Sequence, residues 1–223
     1  MQLMKFNIWY CLFIFGLLTI SAYGQEKPLQ NEAPSPVELN VGNNRFGLQF
    51  LMNKHFEPAS KFSFLSVTSF ESTYNNDINN LDFINNSLVG YEIYKGFGIA
   101  AGLSVNRVSG LAPIVALEYV FANKEILLVI TPTYHLSKSK NVAFLALIEY
   151  KPRLTEKLKL YSRFQSLYNH NSEENHHERS YIQFRLGLGM GNYQFGLATN
   201  LDYYGPTKVS KDNYGLFLRH NFK

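Results

Sequence analysis

The chain has 223 residues with 21 basic and 17 acidic side chains, a net charge of +4, and this mild balance lacks the strongly basic surface that nucleic-acid binding requires. Its single cysteine, Cys11, lies in an N-terminal apolar run, so residues 25–223 can build neither a disulfide framework nor a cysteine metal site. Hydrophobic residues reach 46% while the mean hydropathy is −0.15, so apolar side chains are interleaved with polar ones instead of being gathered into spanning helices.

Residues 1–24 read as a secretory signal peptide. Lys5 is a short positive lead, Ile8 to Ile20 an apolar run, and Ala22 and Gly24 the small residues before a cut at Gln25. The run is about 13 residues, too short for a helix to span a bilayer. Residues 25–43, with Pro28, Pro34 and Pro36, read as a periplasmic linker. The remainder, 44–223, alternates with period two. Phe97, Ile99, Ala101, Leu103 and Val105 form a greasy face against Gly98, Ala100, Gly102, Ser104 and Asn106. Tyr193, Phe195, Leu197, Thr199, Leu201 and Tyr203 oppose Gln194, Gly196, Ala198, Asn200 and Asp202 in the same way.

The pattern predicts ten strands, near 60–74, 83–94, 97–107, 111–122, 125–136, 141–151, 157–168, 180–190, 193–204 and 213–222. Val37, Leu39 and Val41, followed by Phe46 to Met52, would add two more and make twelve. The prolines beside the first of these favour ten. Connections alternate between short turns, such as Lys95-Gly96 and Gly191-Asn192, and longer polar ones, such as Asn75 to Asp82 and Asn169 to Arg179. That asymmetry fits periplasmic turns and extracellular loops, and the 15% aromatic content fits interfacial girdles. The fold class is therefore all-β, an antiparallel up-and-down transmembrane barrel.

In the last strand, Tyr214, Leu216, Leu218 and Phe222 share one face, interrupted by His220. This resembles the C-terminal signal of small bacterial outer-membrane β-barrel proteins, with the departure that Lys223 follows the final Phe. The resemblance implies a place in a Gram-negative-type outer membrane. Its implied partners are outer-membrane lipid and the barrel assembly machinery, which recognises that strand. It carries no family's functional residues with it.

The inner face is expected to hold a charge network of Glu92, Glu118, Glu149, Lys159, Arg163, Arg185 and Arg219. Such a network fills and rigidifies a narrow lumen, because buried charges must pair. His135-Leu136-Ser137 with the later Glu149 is similar to the His-x-Ser and Glu of outer-membrane lipid A deacylases. However, a tight turn at Lys138 to Lys140 places Glu149 about eight residues down the next strand, roughly 25 Å away, and turns His135 and Ser137 inward, away from lipid. His170, His176 and His177, with nearby carboxylates, form a weak metal candidate without ligand spacing. No cofactor is expected. The reading that results is a structural or surface-interaction barrel with a mostly plugged polar lumen. A narrow channel for a small solute is the alternative, and an outer-membrane lipid hydrolase the distant one.

Overall fold

The computed structural model describes residues 34–57, 60–75, 80–107 and 110–222. The expected signal peptide, residues 25–33 of the expected linker and Lys223 lie outside the described residues. The strands are β1 (Ser35–Gly42), β2 (Arg45–His55), β3 (Phe62–Thr73), β4 (Asp82–Tyr94), β5 (Phe97–Asn106), β6 (Gly110–Ala122), β7 (Ile126–His135), β8 (Val142–Tyr150), β9 (Leu158–Asn171), β10 (His176–Met190), β11 (Tyr193–Tyr204), β12 (Val209–Ser210) and β13 (Asn213–Phe222). Each long strand pairs antiparallel with the next, and β13 pairs with both β11 and β1. Twelve strands therefore close into a barrel wall, with no edge left to expose unpaired backbone to lipid. The two-residue β12 is a side hairpin on the end of β11.

Twelve is the larger of the two counts that the alternation allowed. The wall begins at Ser35, so β1 lies within the stretch 25–43 read as linker, and β2 is a second added strand. Pro36 is tolerated because it sits at the outer end of β1. Pairing with β2 starts only at Val37↔Phe50, so the missing N–H removes no bond from that ladder. The expected loop Asn169 to Arg179 is also mostly strand. The β9–β10 ladder continues through His177↔His170 and His176↔Asn171, leaving only residues 172–175 as the turn.

The two faces separate as the alternation predicts. Leu39, Leu48, Ile99, Leu117, Leu186, Leu197 and Leu216 are exposed on the outside. Glu38, Arg45, Gln49, Glu149, Arg163, Gln165, Arg185, Asn200, Asp202 and Arg219 are buried inside. Polar within and greasy without is the arrangement of a barrel whose solvent is lipid. Rings gather at both rims of the greasy band. At the end holding Ser35 and Phe222, Phe62 packs against Tyr91 (5.0 Å), Phe97 against Tyr119 (4.4 Å), and His220 lies between Tyr193 (4.6 Å) and Phe222 (4.5 Å). At the other end, Phe46 meets Phe70 and Tyr74. On β3 and β4 the outer face carries a polar group that satisfies itself. Asn85 donates to Thr68 (2.8 Å) and Ser66 (3.2 Å), and Ser87 bonds both Ser66 and Asn85 (3.0 Å each).

Turn chemistry matches the two ends. Lys95 (φ 43°) and Gly96 (φ 86°) both lie in the left-handed region, as a two-residue hairpin between right-twisted strands requires. The two-residue turns Lys95-Gly96 and Gly191-Asn192 lie at the end that holds Ser35 and Phe222, which fits the periplasmic side, while the two-residue turn Asn43-Asn44 lies at the other end. An epitope inserted between Glu173 and Glu174 should be reached by antibody on intact cells, and one inserted at Gly191-Asn192 should not. The opposite labelling pattern would reverse the strand directions assigned to the membrane.

Candidate functional site

Closure of β1 on β13 sets Glu38 directly beside Arg219. On the facing wall, register places Glu149, Arg163 and Arg185 in one row across β8, β9 and β10. All of these side chains point inward, and their heads meet across the lumen. Arg163 Nη2 and Arg185 Nε both donate to Glu38 Oε1, each at 2.8 Å. Arg219 Nη1 donates to Glu149 Oε1 at 2.5 Å, and Lys151 Nζ to Glu149 Oε2 at 3.0 Å. Tyr161 donates to the same Oε1 at 3.1 Å and offers its ring face to Arg219. Glu38, Glu149, Arg163, Arg185 and Arg219 are each at most 4% exposed, so their charges face one another and not water.

A second cluster lies toward the opposite end. Arg45 pairs with Glu71 at 2.7 Å and Asp202 at 3.0 Å, and it also donates to the backbone oxygen of Lys211. Arg179 binds the other oxygen of Asp202 at 3.0 Å, while Tyr204 donates to Asp82 at 2.5 Å. Asn200 joins the two clusters, accepting from Arg185 Nη1 at 2.8 Å and donating to Glu71 at 2.9 Å. Gln49 and Gln165 meet across the lumen at 3.5 Å, and Gln165 donates to Tyr181 at 2.8 Å. The result is a continuous polar ladder along the barrel axis. The gap bordered by Pro36, Glu38, Gln49, Leu51, Arg163 and Arg219 is too small for a water molecule.

Of the residues expected to form the inner network, the structure brings Glu149, Arg163, Arg185 and Arg219 together. Glu118 stands on the far wall, apart from them, beside an apolar lining of Leu65, Leu88, Ala100, Ile114 and Ala116. Glu92 is half-buried on β4, and Lys159 is exposed near the start of β9. Glu38 and Arg45 were missed because β1 and β2 were not counted as wall. Glu71, Arg179 and Asp202 were missed although Asp202 lies on a face already recognised as polar.

The His135, Ser137 and Glu149 constellation does not assemble. Leu127 is the register partner of Glu149, eight residues along β7 from His135, which is about 26 Å at about 3.3 Å per residue. Ser137 bonds Ser139 at 2.9 Å, and Glu149 is held by Arg219 and Lys151. The rings of His170, His176 and His177 also have other partners. His177 contacts Gly205 O (2.7 Å) and Ser180 Oγ (2.9 Å), His170 stacks on Tyr168, and His176 lies 3.4 Å from both Glu174 and Glu178. Tyr214, Leu216, Leu218 and Phe222 all face outward from β13.

No family model matches the chain, and no curated protein matches it. Among solved structures it is similar to the KdgM porin (12% identity, 85% of this chain and 99% of that one, TM-score 0.47). It is likewise similar to the NanC porin (12% identity, 86% and 99%, TM-score 0.49) and to the outer membrane protein OpdK from Pseudomonas aeruginosa (9% identity, 77% and 66%, TM-score 0.38). Closed, greasy outside and polar inside, the chain has the form of a membrane-spanning antiparallel β-barrel.

Removing one partner from a buried ion cluster leaves the others uncompensated. Glu38→Gln should therefore cost about 3–5 kcal/mol of unfolding free energy, read from urea titrations of the folded barrel in detergent. The exposed pair of Lys140 and Glu173, 2.7 Å apart, should be dispensable, so Lys140→Ala should leave the urea midpoint where it was.

Proposed function

We propose that the barrel is a narrow outer-membrane channel for a small anionic solute, held shut at rest by its own lumen side chains. One observation carries the reading, an excess of positive charge at the closed point. Four cations, Arg163, Arg185, Arg219 and Lys151, share two carboxylates, Glu38 and Glu149. Buried charge without a matching counter-charge is unfavourable, and an entering anion supplies the match. Guanidinium groups suit that task because their planar donors fit carboxylate and phosphate oxygens. The cluster at the other end has the reverse balance, with two arginines against Glu71, Asp82 and Asp202. The solute would therefore meet opposite fields at the two ends of its path.

Export through a signal peptide cut before Gln25 belongs to the same proposal. So do contact with outer-membrane lipid and insertion by the assembly machinery through the outer face of β13. The expected structural or surface-interaction role is the second reading. The observation favouring it is the density of the lumen, where Glu149, Gln165, Asn200 and Asp202 are at most 1% exposed.

Planar-bilayer recording separates the two. A channel gives brief anion-selective openings, and Arg163→Ala should lengthen them and weaken the anion preference. Silence in both the wild type and Arg163→Ala, with folded protein inserted in the bilayer, would leave the structural reading in its place.

A further inference from the structure

Among the described residues, the ladder leaves out the buried lumen carboxylate of Glu118. Glu118 projects from β6, six strands around the wall from β13, and is 7% exposed. Its Oε1 has no hydrogen-bond partner, and no described Lys, Arg or His forms an ion pair with it. The wall is shaped to hold this group. Its register partner is Gly98, and a Cβ at Gly90 would collide with Glu118 Oε2, so the side chain reaches across β5 to lie against the backbone of β4. Ser63 Oγ borders the same spot, 3.0 Å from where that Cβ would stand. Glu92 flanks Gly98 from β4 in the same row, adding a second inward carboxylate.

An ionised carboxylate beside an apolar lining, without a counter-charge, is strongly unfavourable. Here it sits in a niche whose free polar atoms are oxygens, and two glycines leave room for it. We propose that Glu118, with the hydroxyl of Ser63, binds one small positive charge, either a primary ammonium group or an alkali cation. One buried carboxylate matches a single charge, whereas calcium gathers six to eight oxygens, several from carboxylates. An ammonium group donates three hydrogen bonds, and a carboxylate plus a hydroxyl can accept them. The site does not depend on conduction. It faces the lumen on the wall opposite the arginines, so it takes the charge that they repel.

The test is the melting temperature of the purified full barrel in detergent, titrated at constant ionic strength with methylammonium chloride, potassium chloride or choline chloride. The first two should raise it in a saturating manner and choline should not, because its quaternary group is too bulky and has no N–H. Comparison of methylammonium with potassium tells an ammonium site from an alkali one. Glu118→Gln, which keeps the shape, should abolish the difference between the salts. Ser63→Ala should raise the half-maximal concentration about three- to tenfold, the loss of one neutral hydrogen bond. Identical responses to all three salts in the wild type, or an undiminished response in Glu118→Gln, would overturn the site. Neither outcome bears on whether the barrel conducts.

Discussion

Pairing of β1 with β13 is the contact on which the rest of the barrel depends. Eight register pairs, from Ser35↔Phe222 to Gly42↔Gly215, join the first strand to the last. In hydrocarbon an open strand edge would expose N–H and C=O groups that nothing could satisfy. The same pairing carries Glu38 into the lumen, where it accepts from Arg163 and Arg185. Closure and charge compensation are thus one event. A barrel without β1 would have both an open seam and two buried guanidinium groups missing their shared carboxylate.

The ladder inside is costly to assemble. Taking ions out of water is paid back only where geometry and additional hydrogen bonds are good. Here each carboxylate serves several donors. Glu149 takes Arg219, Lys151 and Tyr161, and Asp202 takes Arg45 and Arg179. Sharing means that one ordered side chain satisfies more than one partner. Cutting any rung leaves a charge without its match, so the ladder acts as a unit and is suited to holding a lumen closed until something charged replaces a rung.

Much of this was legible in the residues. Period-two alternation located the ten strands from β3 onward, because one face must meet lipid and the other cannot. The row of Glu149, Arg163 and Arg185 followed from the same alternation. What escaped was decided by distant pairing. β1 is short and carries Pro36 at its outer end, and only its register with β13, far away in sequence, makes it wall. Losing β1 and β2 from the count also lost Glu38 and Arg45, the centres of the two clusters. The stretch rich in Asn, Glu and His after Leu167 reads as loop by composition, yet pairing of His170 with His177 extends the ladder through it. The isolation of Glu118 was equally invisible, since alternation assigns a face but not which heads meet across the lumen.

The central claim is that the ladder shuts the lumen, and access to Gln165 tests it most directly. The one cysteine of the chain is Cys11, so with Cys11→Ser in place Gln165→Cys introduces a unique probe beside Gln49, with Lys159→Cys as an exposed control near the start of the same strand. The rate of modification by a charged methanethiosulfonate reagent should be high at position 159 and low at 165, and adding Glu38→Gln should raise the rate at 165. Fast modification at 165 with Glu38 intact would contradict a lumen closed by these charges.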